Sequence, residues 1–245
     1  MKKPKIVFLG SKKIGAACLN LLFEFEEQNL CTVDGIFTNK RGSEILRLAE
    51  KKNIRTHEKL DALLSFQEID YLVSVQFDKI LRRVHLEQCA VLPVNLHMAP
   101  LPEYRGCNQF SFAILNRDEE FGTTLHVMNE GVDSGDILAE RRFPISKECF
   151  VGDLYDLTFQ HSVDLFKEKM PAILAGDLSR RAQNTFLGER KCETHRRSEI
   201  HDIRKINLNW PEERILRHIR ATSMKGFSPP YAEVLGKKVE LVASA

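Results

Sequence analysis

The sequence predicts an α/β fold: a mainly parallel, twisted sheet with flanking helices, followed by a small C-terminal helix and β-hairpin. Three observations predict it. Short β-branched and apolar runs, "KIVFLG", "TVDGIFT", "IDYLVSV" and "VLPVNLH", recur through the first part of the chain. Segments with helical spacing of apolar residues separate the first of them, and strand alternating with helix is the pattern of a parallel sheet wound with helices. The composition, 43% hydrophobic and 29% charged over 245 residues, suffices for one sizeable core or for a main domain with a small appendage.

Taken in order, "KIVFLG" reads as a buried strand leaving on Gly10, and "IGAACLNLLFEFEE" as a helix carrying Leu19, Leu22 and Phe23 on one face. "TVDGIFT" is the second strand, "SEILRLAEKK" a helix with Ser43 as its cap, "IDYLVSV" the third strand and "VLPVNLH" the fourth. "TTLHVM" and "GDILAERRFPI" read as two further strands. "VGDLYDLTFQHSVDLFKEKMPAILAG" is a long amphipathic helix, interrupted near Pro171 and ending on Gly176. The main domain is expected to span residues 1–185, with a small C-terminal subdomain over 186–245. Within the latter, Gly188 to Asn209 is a charged surface crossing. "WPEERILRHIRATS" is a helix with Pro211 in its first turn, and "PPYAEVLGKKVELVA" is two short strands around Gly236.

A net charge of +2 excludes a molecule-wide field that would make nucleic acid or an anionic membrane the default partner. The apolar run behind the N-terminal lysines, Ile6 to Leu9, is too short for a signal core, and no stretch approaches the length needed to span a bilayer. The six cysteines are scattered without a C-x-x-C pair, which points to reduced thiols, a cytoplasmic setting and no metal. Cys107 carries no nucleophile signature. The histidines, including His126 inside a strand pattern, show no ligand spacing and read as structural or surface groups.

The chemistry concentrates in "VNLHMAPLPEYRGCNQ". Strand residues two apart share a face, so Asn95 and His97 project together into one pocket at a strand's carboxyl end, where parallel sheets bind ligands. "APLPEYRG" is a stiff non-helical loop that exposes backbone groups to a ligand, and Tyr104, Arg105, Gly106 and Asn108 are the candidates for touching a substrate. An internal anchoring role for Arg105 is the alternative. In "NEGVDSGDIL", Asp133 sits in a glycine-flanked turn before a strand; a carboxylate beside an imidazole favours the imidazolium and fixes its orientation. An Asn, a His and an Asp without a Ser or Cys nucleophile suggest acyl transfer in which the attacking group belongs to the substrate.

"NLHMAPLPEYRG" followed by "GVDSGDIL" resembles the formyltransferase family that uses 10-formyltetrahydrofolate, with its Asn-x-His, its Leu-Pro loop and its later Asp-x-Gly-Asp. The resemblance covers roughly residues 5–180 and implies a Rossmann-like formyltransferase fold. It implies Asn95, His97 and Asp133 as the catalytic residues and 10-formyltetrahydrofolate as cosubstrate, with no metal. It also implies a pterin site around Phe77, Lys79, Ile80 and Leu81, closed on the other side by the turn from Asn129 to Asp133. Phe77 and Asp78 stand where many relatives have small residues.

Among the family's acceptors, "GSKKIGAAC" lacks the glycine- and serine-rich phosphate loop of the glycinamide ribonucleotide enzymes. The sequence after the main domain leaves little room for the barrel of the tRNA enzymes, and no deformylase-type leading domain is expected. "INLNWPEERILRHIRATSMKGFSPPYAEV" is similar to the tail of sugar N-formyltransferases. The expectation is therefore formylation of a nucleotide-linked amino sugar for cell-surface polysaccharide such as lipopolysaccharide O-antigen, in a homodimer without nucleic-acid or membrane partners. A methionyl-tRNA formyltransferase-like enzyme and a non-catalytic folate or nucleotide-sugar binding protein are the alternatives. The arginines of "ERKCETHRRSEIHDIRK" either meet a diphosphate or, interleaved with acids, form a solvated face.

Overall fold

The structure, a computed structural model, describes residues 3–186 and 188–242. The first apolar run, Ile6 to Leu9, contains no alternation that would let one face meet water, and its four residues are buried on both faces of a sheet. In order, the elements are β1 (Lys5–Gly10), α1 (Lys12–Glu27), β2 (Thr32–Phe37), α2 (Ser43–Lys51), β3 (Thr56–His57), β4 (Ile69–Val75), α3 (Arg83–Leu86) and β5 (Cys89–His97). They continue with β6 (Tyr104–Gly106), α4 (Gln109–Asn116), β7 (Glu120–Val127), β8 (Ile137–Pro144), α5 (Val151–Leu174), β9 (Glu193–His195), α6 (Ile200–Ile203), α7 (Glu212–Thr222), β10 (Tyr231–Val234) and β11 (Lys237–Glu240).

The seven-stranded main sheet runs β3-β2-β1-β4-β5-β7-β8. Strands β1 to β5 pair in parallel, and β7 and β8 pair antiparallel. The expected mainly parallel sheet with a trailing helix and hairpin is observed, the hairpin being β10 and β11. On β5, Val94 and Leu96 face a core shared with Ile14, Leu19 and Leu22 of α1 and Leu165 and Phe166 of α5. The alternate residues, Asn95 and His97, turn to the opposite face. On that face a second cluster gathers Val7, Leu9, Leu72 and Leu81, with Phe77 and Met128 packed against it.

Several boundaries differ from expectation for local reasons. Ser43 is the first residue of α2 rather than its cap; a 3-10 turn at Lys40–Gly42 precedes it, and the Asn39 side chain accepts the Arg41 N–H at 2.8 Å. Pro171 lies inside α5 without ending it. The helix runs three residues further, to Leu174, and closes on Gly176, whose φ of +99° lets the N–H groups of Gly176 and Asp177 reach the carbonyls of Ile173 and Ala172. Pro211 stands at the cap of α7, just before its first turn.

The charged crossing after residue 188 is built into the main body. Arg190 bonds the Leu101 carbonyl at 3.0 Å and Glu140 at 3.1 Å, while Arg142 bonds Glu103 at 2.6 Å and Glu140 at 2.8 Å. Strand β9 pairs in parallel with β6, and the His195 ring stacks on Phe112 with centroids 3.6 Å apart. Ala221 of α7 lies in the same cluster as Phe121 and Leu154. All six cysteines are free, and among the described residues no helix is long and apolar enough to cross a membrane.

Candidate active site

The site forms where the parallel part of the sheet gives way to its antiparallel part. Asn95 sits directly opposite His126, and His97 opposite Thr124, in the β5–β7 register. Directly opposed residues are the closest cross-strand pairs a sheet offers. The Asn95 Nδ2 accordingly lies 3.0 Å from the His126 Nε2. The end of β5 is fastened by two threonines of β7: Thr123 donates to the His97 carbonyl at 3.0 Å and Thr124 to the Ala99 carbonyl at 2.8 Å.

Asp133 enters from the turn after β7 with a φ of +47°, a left-handed conformation that aspartate tolerates better than most L-residues. Its Oδ2 lies 3.6 Å from the His97 Nδ1 and accepts the Gly106 N–H at 2.9 Å; its Oδ1 lies 3.5 Å from the His126 Nε2. Burial alone would push this carboxyl up. The charge of a protonated His97, the largest of the opposing influences, together with the Gly106 N–H outweighs burial and holds it well below the usual carboxylate range. The Gln183 amide fixes the turn from behind by donating to the Asp133 carbonyl at 2.8 Å and the Gly135 carbonyl at 2.7 Å.

The other ring nitrogen of His97, Nε2, lies 2.6 Å from the Tyr104 carbonyl oxygen. A carbonyl only accepts, so Nε2 carries a hydrogen and Nδ1, facing Asp133, is the position at which a proton comes or goes. Gly106 has a φ of +85°, and a Cβ there would meet the His195 carbonyl oxygen at 2.3 Å, so the motif's glycine answers to both conformation and close approach.

Asn95, His97 and Asp133 are thus brought together. The loop residues differ in what they offer. The Tyr104 ring is buried and its hydroxyl bonds Asp118, leaving its carbonyl toward the site. The Arg105 guanidinium bonds the Gln183 Oε1 at 2.6 and 3.0 Å. Gly106 presents its N–H to Asp133, and the Asn108 side chain donates to the Arg196 carbonyl at 2.8 Å. In the 77–81 segment, Phe77 and Leu81 pack into the cluster that also takes Met128, which sets this loop beside the turn holding Asp133. Ile80 is 72% exposed, and Lys79 bonds the Glu58 carbonyl. Asn129 shapes its own turn by accepting from the Gly131 N–H at 3.1 Å and the Ser134 hydroxyl at 2.8 Å.

Two residues of the site were not singled out as functional from the sequence. His126 betrays itself only as a histidine near the end of a buried strand that runs into the Asp133 turn, and Gln183 leaves no local signal at all. A cavity of about 560 Å³ lies behind Tyr104, lined by Glu103, Asp118, Arg142 and Arg190 among others. None of Asn95, His97 or Asp133 lines it. Among the described residues there is no group of three His, Cys, Asp or Glu placed to hold a metal.

Comparison with known proteins identifies the family. The model of the family described as formyl transferase matches residues 5–168. A methionyl-tRNA formyltransferase from Listeria innocua is 31% identical over 174 residues, 71% of this chain and 54% of that protein; the chain therefore spans about half the length of this relative. Among solved structures, a sugar N-formyltransferase from a Shewanella species superposes with a TM-score of 0.81 at 21% identity, covering 99% of this chain and 98% of that one. The sugar 3N-formyl transferase WlaRD, determined in the presence of dTDP and 5-N-formyl-THF, superposes with a TM-score of 0.79 at 25% identity, covering 98% of this chain and 85% of that one.

Proposed function

Because the chain belongs to the formyl transferase family, we propose that it transfers the formyl group of 10-formyltetrahydrofolate to the amino group of a nucleotide-linked amino sugar. The observation that carries the chemistry is the convergence of the Asn95 amide, the His97 Nδ1 and the Asp133 carboxylate on one volume, with no nucleophilic side chain among them. In formyl transfer an amine nitrogen bonds to the formyl carbon, the bond from that carbon to the folate nitrogen breaks, and the proton lost by the amine ends on that nitrogen. Negative charge collects on the formyl oxygen in between. Asn95 and protonated His97 are the donors for that oxygen, each worth about 3 kcal/mol by the measure of other oxyanion holes. Asp133 keeps His97 oriented and accepts or passes the amine proton.

The pterin is assigned to the wall formed by Phe77, Lys79, Ile80, Leu81 and Asn129. There, apolar packing and exposed backbone groups suit a flat, hydrogen-bonding ring. The sugar acceptor is supported by likeness to WlaRD over 98% of this chain, a span that includes the C-terminal helix and hairpin. A second reading, formylation of methionyl-tRNA, is supported by the 31% identity to the Listeria innocua enzyme. The test is formyl incorporation, read by mass, with 10-formyltetrahydrofolate and a panel of nucleotide-linked amino sugars beside Met-tRNA. A sugar product is expected. Folate binding without any product would leave a binding protein and overturn the proposal.

A further inference from the structure

His126 is 2% exposed, yet no step assigned above uses it. Its Nδ1 lies 2.9 Å from the Val127 carbonyl oxygen, an acceptor only, so that nitrogen carries a hydrogen. In the neutral ring Nε2 is then a bare acceptor. Its nearest polar neighbour is the Asn95 Nδ2 at 3.0 Å, closer than the Asp133 Oδ1 at 3.5 Å. The Asp133 oxygen that accepts the Gly106 N–H at 2.9 Å is Oδ2, the one turned toward His97, so the weaker approach to His126 is made by Oδ1 alone.

From this we infer that His126 is a positioning residue for the reaction: its Nδ1–H tautomer, fixed by the Val127 carbonyl, accepts one hydrogen of the Asn95 amide and thereby decides which end of that amide faces the reacting carbon. The inference rests on the formyl-transfer reading of the site. The Asn95 Nδ2 and the Asp133 Oδ1 share the His126 Nε2 as a neighbour, and the same carboxylate faces the His97 Nδ1 at 3.6 Å. Held so, the second N–H of Asn95 is available to a developing oxyanion. With the opposite tautomer, or no acceptor at this position, the amide is free to turn over. Its oxygen would then face the region where negative charge develops, turning a stabilising donor into a repelling acceptor. An amide's two ends are otherwise nearly equal in size, so packing alone does not choose between them.

Two measurements test this. In the wild-type protein, ¹⁵N NMR of the imidazoles should show His126 protonated at Nδ1 and bare at Nε2, with the Asn95 side-chain amide correlated to Nε2. A protonated Nε2 overturns the inference whatever the enzyme turns over, so this arm stands apart from the parent reading. In kinetics, His126→Leu should lower kcat about 10- to 100-fold while leaving the KM for the folate within about threefold, because an interaction specific to the transition state is lost. His126→Gln, whose side-chain oxygen can accept the same N–H, should recover most of the loss. Unchanged kcat in His126→Leu, or equal losses in both variants, would sink the inference while leaving formyl transfer itself intact. A wild-type protein with no formyl transfer at all would instead sink the parent reading.

Discussion

The His97 Nε2 sits 2.6 Å from the backbone carbonyl oxygen of Tyr104, so the loop that follows β5 sets the imidazole's tautomer through its main chain and not through a side chain. The Tyr104 ring holds that carbonyl in place. It is buried beside Phe121, with ring centroids 5.6 Å apart, and its hydroxyl donates to Asp118. Side-chain and main-chain roles are therefore separable at this residue.

Tyr104→Phe should leave turnover within about twofold of wild type while lowering stability by about 1–2 kcal/mol, since a partly buried carboxylate loses its donor. The loss should depend on pH in a stated direction. Burial raises the Asp118 carboxyl above its ordinary value, and the Tyr104 hydroxyl works against that rise. A carboxyl raised in the folded state contributes stability below its unfolded value and loses it as pH rises through the folded value. Removing the hydroxyl lifts the folded value further, so the gap between variant and wild type should widen from acid toward neutral pH. Urea denaturation at several pH values checks this, and a gap that narrows toward neutrality contradicts it.

Asp133→Asn keeps the shape of the carboxylate and an acceptor for the Gly106 N–H but removes the charge facing two imidazoles. Turnover should fall at least tenfold, equivalent to about 1.4 kcal/mol of barrier, with the circular dichroism spectrum retained. The folded-state carboxyl is depressed, so its contribution to stability is present above the ordinary carboxylate range and is lost as pH falls through the folded value. The stability difference between wild type and Asp133→Asn should accordingly be greatest near neutral pH and shrink on acidification. A constant difference would mean that the charge of Asp133 does not couple to its neighbours.

Gly106→Ala should be among the most damaging single-methyl changes in the protein. The new Cβ meets a backbone oxygen, that of His195, at 2.3 Å, and backbone cannot step aside as the end of a flexible side chain can. The left-handed φ of +85° adds roughly 1–2 kcal/mol for any L-side chain. Relief requires parting β6 from β9, which also withdraws the Gly106 N–H from Asp133, so stability should drop by more than about 2 kcal/mol and turnover should fall with it. Full stability with normal turnover would show that the loop can shift as a unit.

Much of this was legible in the chain, and the failures have physical reasons. β1 and β4 announce themselves because strands buried on both faces are mostly apolar, and β2 and β5 by the apolar residues at their buried ends. Asn95 and His97 share a face by the period of a strand alone. The contact of His126 with Asn95 is not legible, because it is set by the antiparallel register between β5 and β7, and register between distant strands is not written in spacing. Gln183 reaches the Asp133 turn from a 3-10 turn distant in sequence. β6 and β9, at three residues each, are strands only because they meet. Helix α4 follows Asn108, whose left-handed φ of +60° and contact with the Arg196 carbonyl leave it without a side-chain cap hydrogen bond, and its apolar residues face two clusters at once.

The acceptor is the remaining step, and salt dependence can decide it without knowing which sugar is used. A nucleotide-linked sugar presents a diphosphate, about two negative charges, whereas a tRNA acceptor presents a run of backbone phosphates with condensed counterions. Each phosphate neutralised by the protein releases counterions, and for single strands the logarithm of affinity falls by about 0.7 per phosphate for each unit of log salt. This chain has 36 basic and 34 acidic residues, and Arg190 and Arg142 are already paired with Glu140 and Glu103. They are not free to meet phosphate. The expected outcome is formylation of a free nucleotide-linked amino sugar with a KM that rises modestly between low and physiological salt, and negligible formylation of Met-tRNA under the same conditions. Efficient Met-tRNA formylation whose KM climbs steeply and log-linearly with salt would reject the sugar acceptor. It would leave Asn95, His97 and Asp133 with the same chemistry on a different amine.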